Sequence, residues 1–218
     1  LAQACWSVGA PALRNRATLG GNLVTASPAN DTITPLWAMG ATLVLRSTRG
    51  ERTLSFPEFY QGVRQVELAP DEMLTEVQVP MLAPNQRGAF VKLGLRKAMA
   101  ISVVNAAVVL TFDEETVTHA RITLGSVAPT IVRATEAEQL LQGRPLNARR
   151  ARDAANLAAE SAVPIDDIRA GAGYRRRIVR VLVRRALEHV LRGDERSEFP
   201  AAPPMLWGRT KGRCPPLA

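Results

Sequence analysis

Apolar residues recur along this chain at two spacings. Towards the C-terminus they fall at Ile178, Leu182, Val183, Ala186, Leu187, Val190 and Leu191, which is one face of a helix and predicts a helix over 173–192. In the middle they run from Val103 to Leu110, broken only by Asn105, with the length of a buried strand. Strands are expected at 89–95, 102–112 and 117–125, with a turn at 113–116. Helices follow at 135–141 and 147–162, the first closed by a loop at 143–145. Strands first and helices after is the α+β order, a sheet with helices on one face.

The first part is more broken. Residues 1–8 read as a short helix ending at Gly9. Asp31 is placed to cap a helix through Thr34 to Met39, with Pro35 in its first turn and Gly40 as its stop. A hairpin is expected from 41–46 and 52–55, then a short helix at 56–60 and a strand over 73–79. Pro80, Pro84 and the polar run Asn85 to Gly88 form the clearest linker, so the expected domains are 1–83 and 84–193, with an irregular tail over 194–218.

The chain has 218 residues, 46% hydrophobic and 22% charged, so it can bury a core without covalent staples. Its net charge of +8 invites a nucleic-acid reading. Position argues otherwise. Residues 144–192 hold 12 arginines against 5 acidic residues, and Arg175, Arg176, Arg177, Arg180, Arg184, Arg185 and Arg192 cluster on the last helix, largely opposite its apolar stripe, with Arg175 and Arg176 in the first turn as exceptions. Only Tyr174 lies beside them, where a single-strand platform needs several stacking rings. A solvated helix face, or one docking a partner subunit, fits better. Cys5 and Cys214 stand at opposite ends without metal-type spacing, and two thiols cannot hold an iron–sulfur cluster; they read as free thiols in a reducing cytoplasm. His119 and His189 stand alone as surface residues, so no metal site and no acid–base pair is expected. No apolar run approaches the ~20 residues of a membrane span, and 1–10 has no signal-peptide pattern. Leu1 reads as the middle of a helix, so a piece of a longer polypeptide is expected.

The most informative stretch is Thr18-Leu19-Gly20-Gly21-Asn22. Paired glycines allow a tight turn and close approach of a ligand, and exposed amides there can cradle phosphate oxygens. Thr18 and Asn22 add donors at both edges, and Asp31 could accept bonds from sugar or ribityl hydroxyls. This is neither a Rossmann fingerprint nor a Walker loop, and a plain structural turn is the other reading.

The run from Arg14 to Asn22, with Ala26 to Asp31, resembles the flavin-binding subunit of the molybdenum hydroxylases, the xanthine dehydrogenase and carbon monoxide dehydrogenase family. The likeness continues at 50–52, 56–62, 68–72, Lys92-Leu93-Gly94-Leu95-Arg96 and 171–176, over roughly residues 1–192. It implies FAD as cofactor and a fold made of the second lobe of a PCMH-type FAD-binding domain followed by a CO-dehydrogenase-flavoprotein-like C-terminal domain, a first flavin lobe preceding Leu1. It places Thr18, Gly20, Gly21 and Asn22 at the FAD pyrophosphate, Thr25 and Asp31 at further cofactor contacts, Leu74 against the flavin, and Lys92 near the isoalloxazine ring. Leu74 as plain core, Lys92 as a strand-edge charge and Asp31 as a helix cap remain the alternatives. Arg14 and Arg16 would flank the pyrophosphate or face solvent. The family often has an aspartate where this chain has Ala100. The implied activity is electron transfer from iron–sulfur clusters through FAD to NAD or another acceptor, as an oxidoreductase component with a large molybdopterin-binding subunit and a small 2Fe–2S subunit as partners, and without nucleic acid. A non-catalytic scaffold bridging subunits is the alternative.

Overall fold

A computed structural model describes residues 1–96 and 99–197; Cys214 and most of the expected irregular tail lie outside the described residues. The chain opens with four short helices: α1 (Ala2–Ser7), α2 (Pro11–Arg14), α3 (Leu19–Val24) and α4 (Ile33–Met39). A hairpin of β1 (Thr42–Ser47) and β2 (Gly50–Ser55) follows, then α5 (Phe56–Phe59), the small pair β3 (Tyr60–Gly62) and β4 (Gln65–Val66), and β5 (Met73–Gln78). β1 is the central strand of an antiparallel sheet, order β2-β1-β5. Alternation puts Leu43 and Leu45 into a core with Leu23, Ile33, Leu36, Phe56 and Phe59. Gly40, left-handed at φ 74°, ends α4 as the sequence predicts.

The second part begins with β6 (Gln86–Gly94), β7 (Ser102–Asp113) and β8 (Thr116–Gly125). Then come β9 (Val132–Arg133), α6 (Thr135–Leu141), β10 (Arg144–Pro145), α7 (Ala148–Glu160) and α8 (Ala172–Arg192). The antiparallel sheet runs β10-β8-β7-β6, with β9 also on β8. Residues 144–145, expected in a loop, pair with β8 instead.

β7 is buried on both faces, which explains its nearly unbroken apolar run. Val104, Ala106, Val108 and Leu110 join the core under α6, α7 and α8. Ala107 and Val109 meet Ala38 of α4 on the other side. The C-terminal helices thus cover one face, as expected, and a helix of the first part covers the other. α7 brings Ala151, Ala154, Ala155, Ala158 and Ala159 to this core, and side chains that small let α8 lie close.

The buried stripe of α8 is Val179, Leu182, Val183, Ala186, Leu187 and Val190; Leu191, placed on the stripe from sequence, is exposed. Arg175, one of the two exceptions to the solvated face, is internal. It lies one turn before Val179 on the same face and is 1% exposed. Its guanidinium donates to Val103 O at 2.8 Å, Ser126 O at 3.0 Å and Asp167 Oδ1 at 2.6 Å. Arg169 and Arg175 together hold the Asp167 carboxyl well below the usual carboxylate range. His189, read as a free surface residue, binds Asp194 at 2.7 Å, and Arg87 binds Glu195 at 2.6 Å.

α4 joins the two sheets through polar bonds as well as apolar contact. Thr34 Oγ1 donates to Asn105 Oδ1 at 2.6 Å, and Thr123 Oγ1 donates to Thr34 O at 2.8 Å. Gly125 makes this approach possible: a Cβ there would lie 2.7 Å from Thr34 Oγ1 and closer still to Asn105 Oδ1. Gly125→Ala should therefore destabilise the fold by about 2–3 kcal/mol, the cost of overpacking a tight core. Thermal and urea unfolding measure this; an unchanged midpoint would mean that the junction yields freely.

Candidate functional site

The Thr18–Asn22 segment is the start of a helix and not an isolated glycine turn. Thr18 is the N-cap of α3, and its hydroxyl accepts from Gly21 N at 2.9 Å. Neither glycine needs a left-handed conformation. Their value is steric: a Cβ on Gly21 would press on Thr18 Oγ1 at 3.0 Å, and one on Gly20 would meet Leu74 of β5 at 3.9 Å. Thr25 closes the helix, its hydroxyl donating to Gly21 O at 2.6 Å.

An open cleft of about 330 Å³ lies beyond the end of α3. Asn22, Thr25, Asn30, Asp31 and Arg64 supply its polar lining, and Val8, Leu13, Met99 and Ile101 its apolar lining. Asn22 is fixed by two bonds: Thr32 Oγ1 donates to its Oδ1 at 2.5 Å, and Asn30 Nδ2 donates to its carbonyl at 2.5 Å. Among the described residues, its side-chain amide keeps both N–H donors.

Asp31 is not the cap of α4. The N-cap is Thr32, and the Asp31 side chain turns inward, 5% exposed. Its Oδ2 accepts from Lys92 Nζ at 2.5 Å, and its Oδ1 accepts from Ser102 Oγ at 2.5 Å and Asn105 Nδ2 at 3.3 Å. Burial pushes the Asp31 carboxyl above its ordinary range, against the opposing pull of Lys92, Ser102 and Asn105. Lys92 is nearly as buried, and its ammonium also donates to Ser7 O at 3.0 Å and Ala100 O at 2.9 Å. An ammonium has three N–H donors, so all are used. Position 100 serves through its backbone carbonyl, which an alanine supplies as well as an aspartate would. On the far side of the ion pair, Lys92 lines a second cleft with Trp6 and Phe90. Arg14 lies over the Trp6 ring at 4.7 Å and donates to Val8 O.

Of the residues singled out from sequence, Asn22, Thr25 and Asp31 meet at the cleft. Thr18, Gly20 and Gly21 lie on the preceding turns of the same helix. Leu74 packs beneath Gly20 in the first core, away from the cleft lining. Lys92 stands behind Asp31.

Sequence reasoning missed Ser102, Asn105 and Arg64. Asn105 had a signal, as the one polar break in the apolar run of β7. It also missed a backbone feature. Ala26, Arg64 and Met99 have positive φ without being glycine, and they border this cleft or line it. Such conformations cost about 1–3 kcal/mol each and gather where geometry serves a site.

Comparison with known proteins gives a consistent picture. Residues 1–82 match the FAD binding domain in molybdopterin dehydrogenase, and residues 89–190 match the CO dehydrogenase flavoprotein C-terminal domain. The chain is 34% identical to the nicotine 6-hydroxylase medium subunit of Paenarthrobacter nicotinovorans, over 81% of this chain and 62% of that protein. It is 33% identical to the carbon monoxide dehydrogenase medium chain of Hydrogenophaga pseudoflava, over 86% of this chain and 65% of that one. The solved carbon monoxide dehydrogenase from that organism superposes with a TM-score of 0.82 at 33% identity, covering 86% of this chain and 65% of the other. Quinoline 2-oxidoreductase from Pseudomonas putida 86 superposes with a TM-score of 0.82 at 28% identity, covering 88% and 67%. The chain thus spans somewhat less than two thirds of the length of these curated relatives.

Lys92→Met tests the ion pair. It leaves Asp31 buried without its counter-charge and should cost about 3 kcal/mol near neutral pH. The Asp31 carboxyl then rises further above its unfolded value. A group raised in the folded state gives stability that is present at low pH and lost as pH climbs through the raised value. The gap from wild type in urea midpoint should therefore be smaller at about pH 5 than at about pH 8. A gap independent of pH would show that the pair does not govern Asp31.

Proposed function

Because this chain belongs to the flavin-carrying subunits and domains of the molybdopterin-dependent dehydrogenases, we propose that it holds FAD in the cleft at the end of α3 and works as the electron-transfer component of such an enzyme. The observation that carries the proposal is the meeting of Asn22, Thr25 and Asp31 at one cleft, with Gly20 and Gly21 just before Asn22 on the same helix. The donor set suits the cofactor. The Gly21 amide is taken by Thr18 Oγ1, but the amides of Leu19 and Gly20 have no acceptor within the helix, and the exposed surface at Thr18 and Gly21 fits phosphate oxygens. Asn22 offers two amide donors. Asp31 offers an acceptor for a hydroxyl, and the apolar side chains Val8, Leu13 and Met99 offer a surface for a planar ring.

In this reading Thr18, Gly20, Gly21 and Asn22 hold the pyrophosphate, and Thr25 and Asp31 hold the chain that links it to the ring. Leu74 supports Gly20 from below. Lys92, with its three donors committed, acts on the cofactor through Asp31 and the cleft walls. Bound FAD supplies the redox chemistry, taking reducing equivalents from an iron–sulfur partner and giving them to NAD or another acceptor. The protein supplies position, charge balance and exclusion of water. A large molybdopterin-binding subunit and a small 2Fe–2S subunit are the partners this role requires, and the substrate is chosen on the former.

The test is flavin content. The protein purified with its partner subunits should carry FAD, released on denaturation and counted by absorbance. Gly21→Val crowds Thr18 Oγ1 and covers the bare backbone, and should lower FAD content at least about tenfold while unfolding stays cooperative. A flavin-free wild-type complex, or a variant with full flavin content, would refute the assignment.

A further inference from the structure

We propose that Ser102 and Asn105 are positioning residues for cofactor binding, acting from the C-terminal sheet through Asp31; this rests on the reading of Asp31 as a cofactor contact. Both are fully buried and neither lines the cleft. Ser102 is the first residue of β7, and its single hydroxyl proton goes to Asp31 Oδ1. Asn105 sits three residues on. Its Oδ1 is taken by the Thr34 hydroxyl, which leaves its Nδ2 to donate to the same Asp31 oxygen. Neighbours hold both in turn. Ser102 O accepts from Arg169 Nη1 at 3.1 Å and Ser126 Oγ at 3.2 Å, and Gly125 leaves Asn105 its space.

The bookkeeping fixes what Asp31 can do. A carboxylate offers about four acceptor sites. Ser102 and Asn105 fill the two on Oδ1, and Lys92 fills one on Oδ2. Among the described residues, one site on Oδ2 remains. A ligand hydroxyl entering the cleft therefore meets a single acceptor whose direction is set by two side chains from another sheet. Without them the carboxylate can rotate about its χ angles, and the ligand must order it on binding.

The experiment is a titration of FAD into the flavin-depleted enzyme complex, with Kd as the readout. Ser102→Ala and Asn105→Ala should each weaken binding about tenfold, the value of one hydrogen bond to a charged group. Ser102→Thr, which keeps the hydroxyl, should bind within about threefold of wild type. In an Asp31→Asn background the Ser102→Ala effect should shrink to less than about twofold, because the two act through one carboxylate. A Ser102→Ala effect that persists undiminished in that background, or single variants with wild-type affinity, would overturn the positioning role. An Asp31→Asn variant that binds FAD like wild type would overturn Asp31 as a contact, and the positioning role with it. Should Ser102→Ala yield no folded protein, the same cycle with Asn105→Ala decides the question.

Discussion

A carboxylate and an ammonium taken out of water together cost several kcal/mol per ion, recovered only when their remaining hydrogen-bonding capacity is also met. The Asp31–Lys92 pair meets that condition except for one open acceptor site on Asp31 Oδ2, with bonds drawn from both parts of the chain. α1 contributes Ser7 O, the loop after β6 contributes Ala100 O, and β7 contributes Ser102 and Asn105. Removing any of these leaves a buried charge partly unsatisfied. The arrangement is therefore a stringent constraint on how the first sheet, with its glycine-bearing helix, sits against the second. The apolar contact of Ala38 with Ala107 and Val109 holds the parts together. Because it is non-directional, the polar network is what fixes register.

This division of labour separates what the sequence disclosed from what it hid. The continuous apolar run of β7 and the stripe of α8 are strong periodic signals, and both appear where expected. Arg175 stood out in sequence only as an exception to the solvated face, because its charge argued for solvent while its spacing from Val179 argued for the core. Spacing prevailed, since Val103 O, Ser126 O and Asp167 are there to receive the guanidinium. Asp31 was misread for a similar reason. A local reading sees an acidic residue just before a helix and infers a cap. The partners that turn it inward are 61 to 74 residues away, beyond any local pattern. The glycine pair was recognised as a feature but not as the first turn of a helix, because a turn and a capped helix start share the same residues. The left-handed backbone at Ala26, Arg64 and Met99 left no mark in residue type at all.

The charge that first suggested an acidic partner also resolves into separate roles. Arg175 is internal, Arg169 serves Asp167, and Arg52 and Arg46 pair with Glu72 and Glu51 around the first sheet. Arg177, Arg180 and Arg184 remain on the exposed side of α8, away from the cleft at the end of α3. The candidate site thus owes little to net charge. It depends on a few buried donors aimed at one carboxylate, and on backbone left bare by two glycines.

The central claim is that the Lys92 ammonium is immobilised, with every N–H committed within the protein. Nitrogen-15 labelling of lysine reads this directly, because the chain has only three lysines, Lys92, Lys97 and Lys211. The account predicts that the lysine ammonium signal lost in Lys92→Arg has protons that exchange with water at least about a hundredfold more slowly than those of free lysine. Lys92 ammonium protons exchanging as fast as those of free lysine would contradict it.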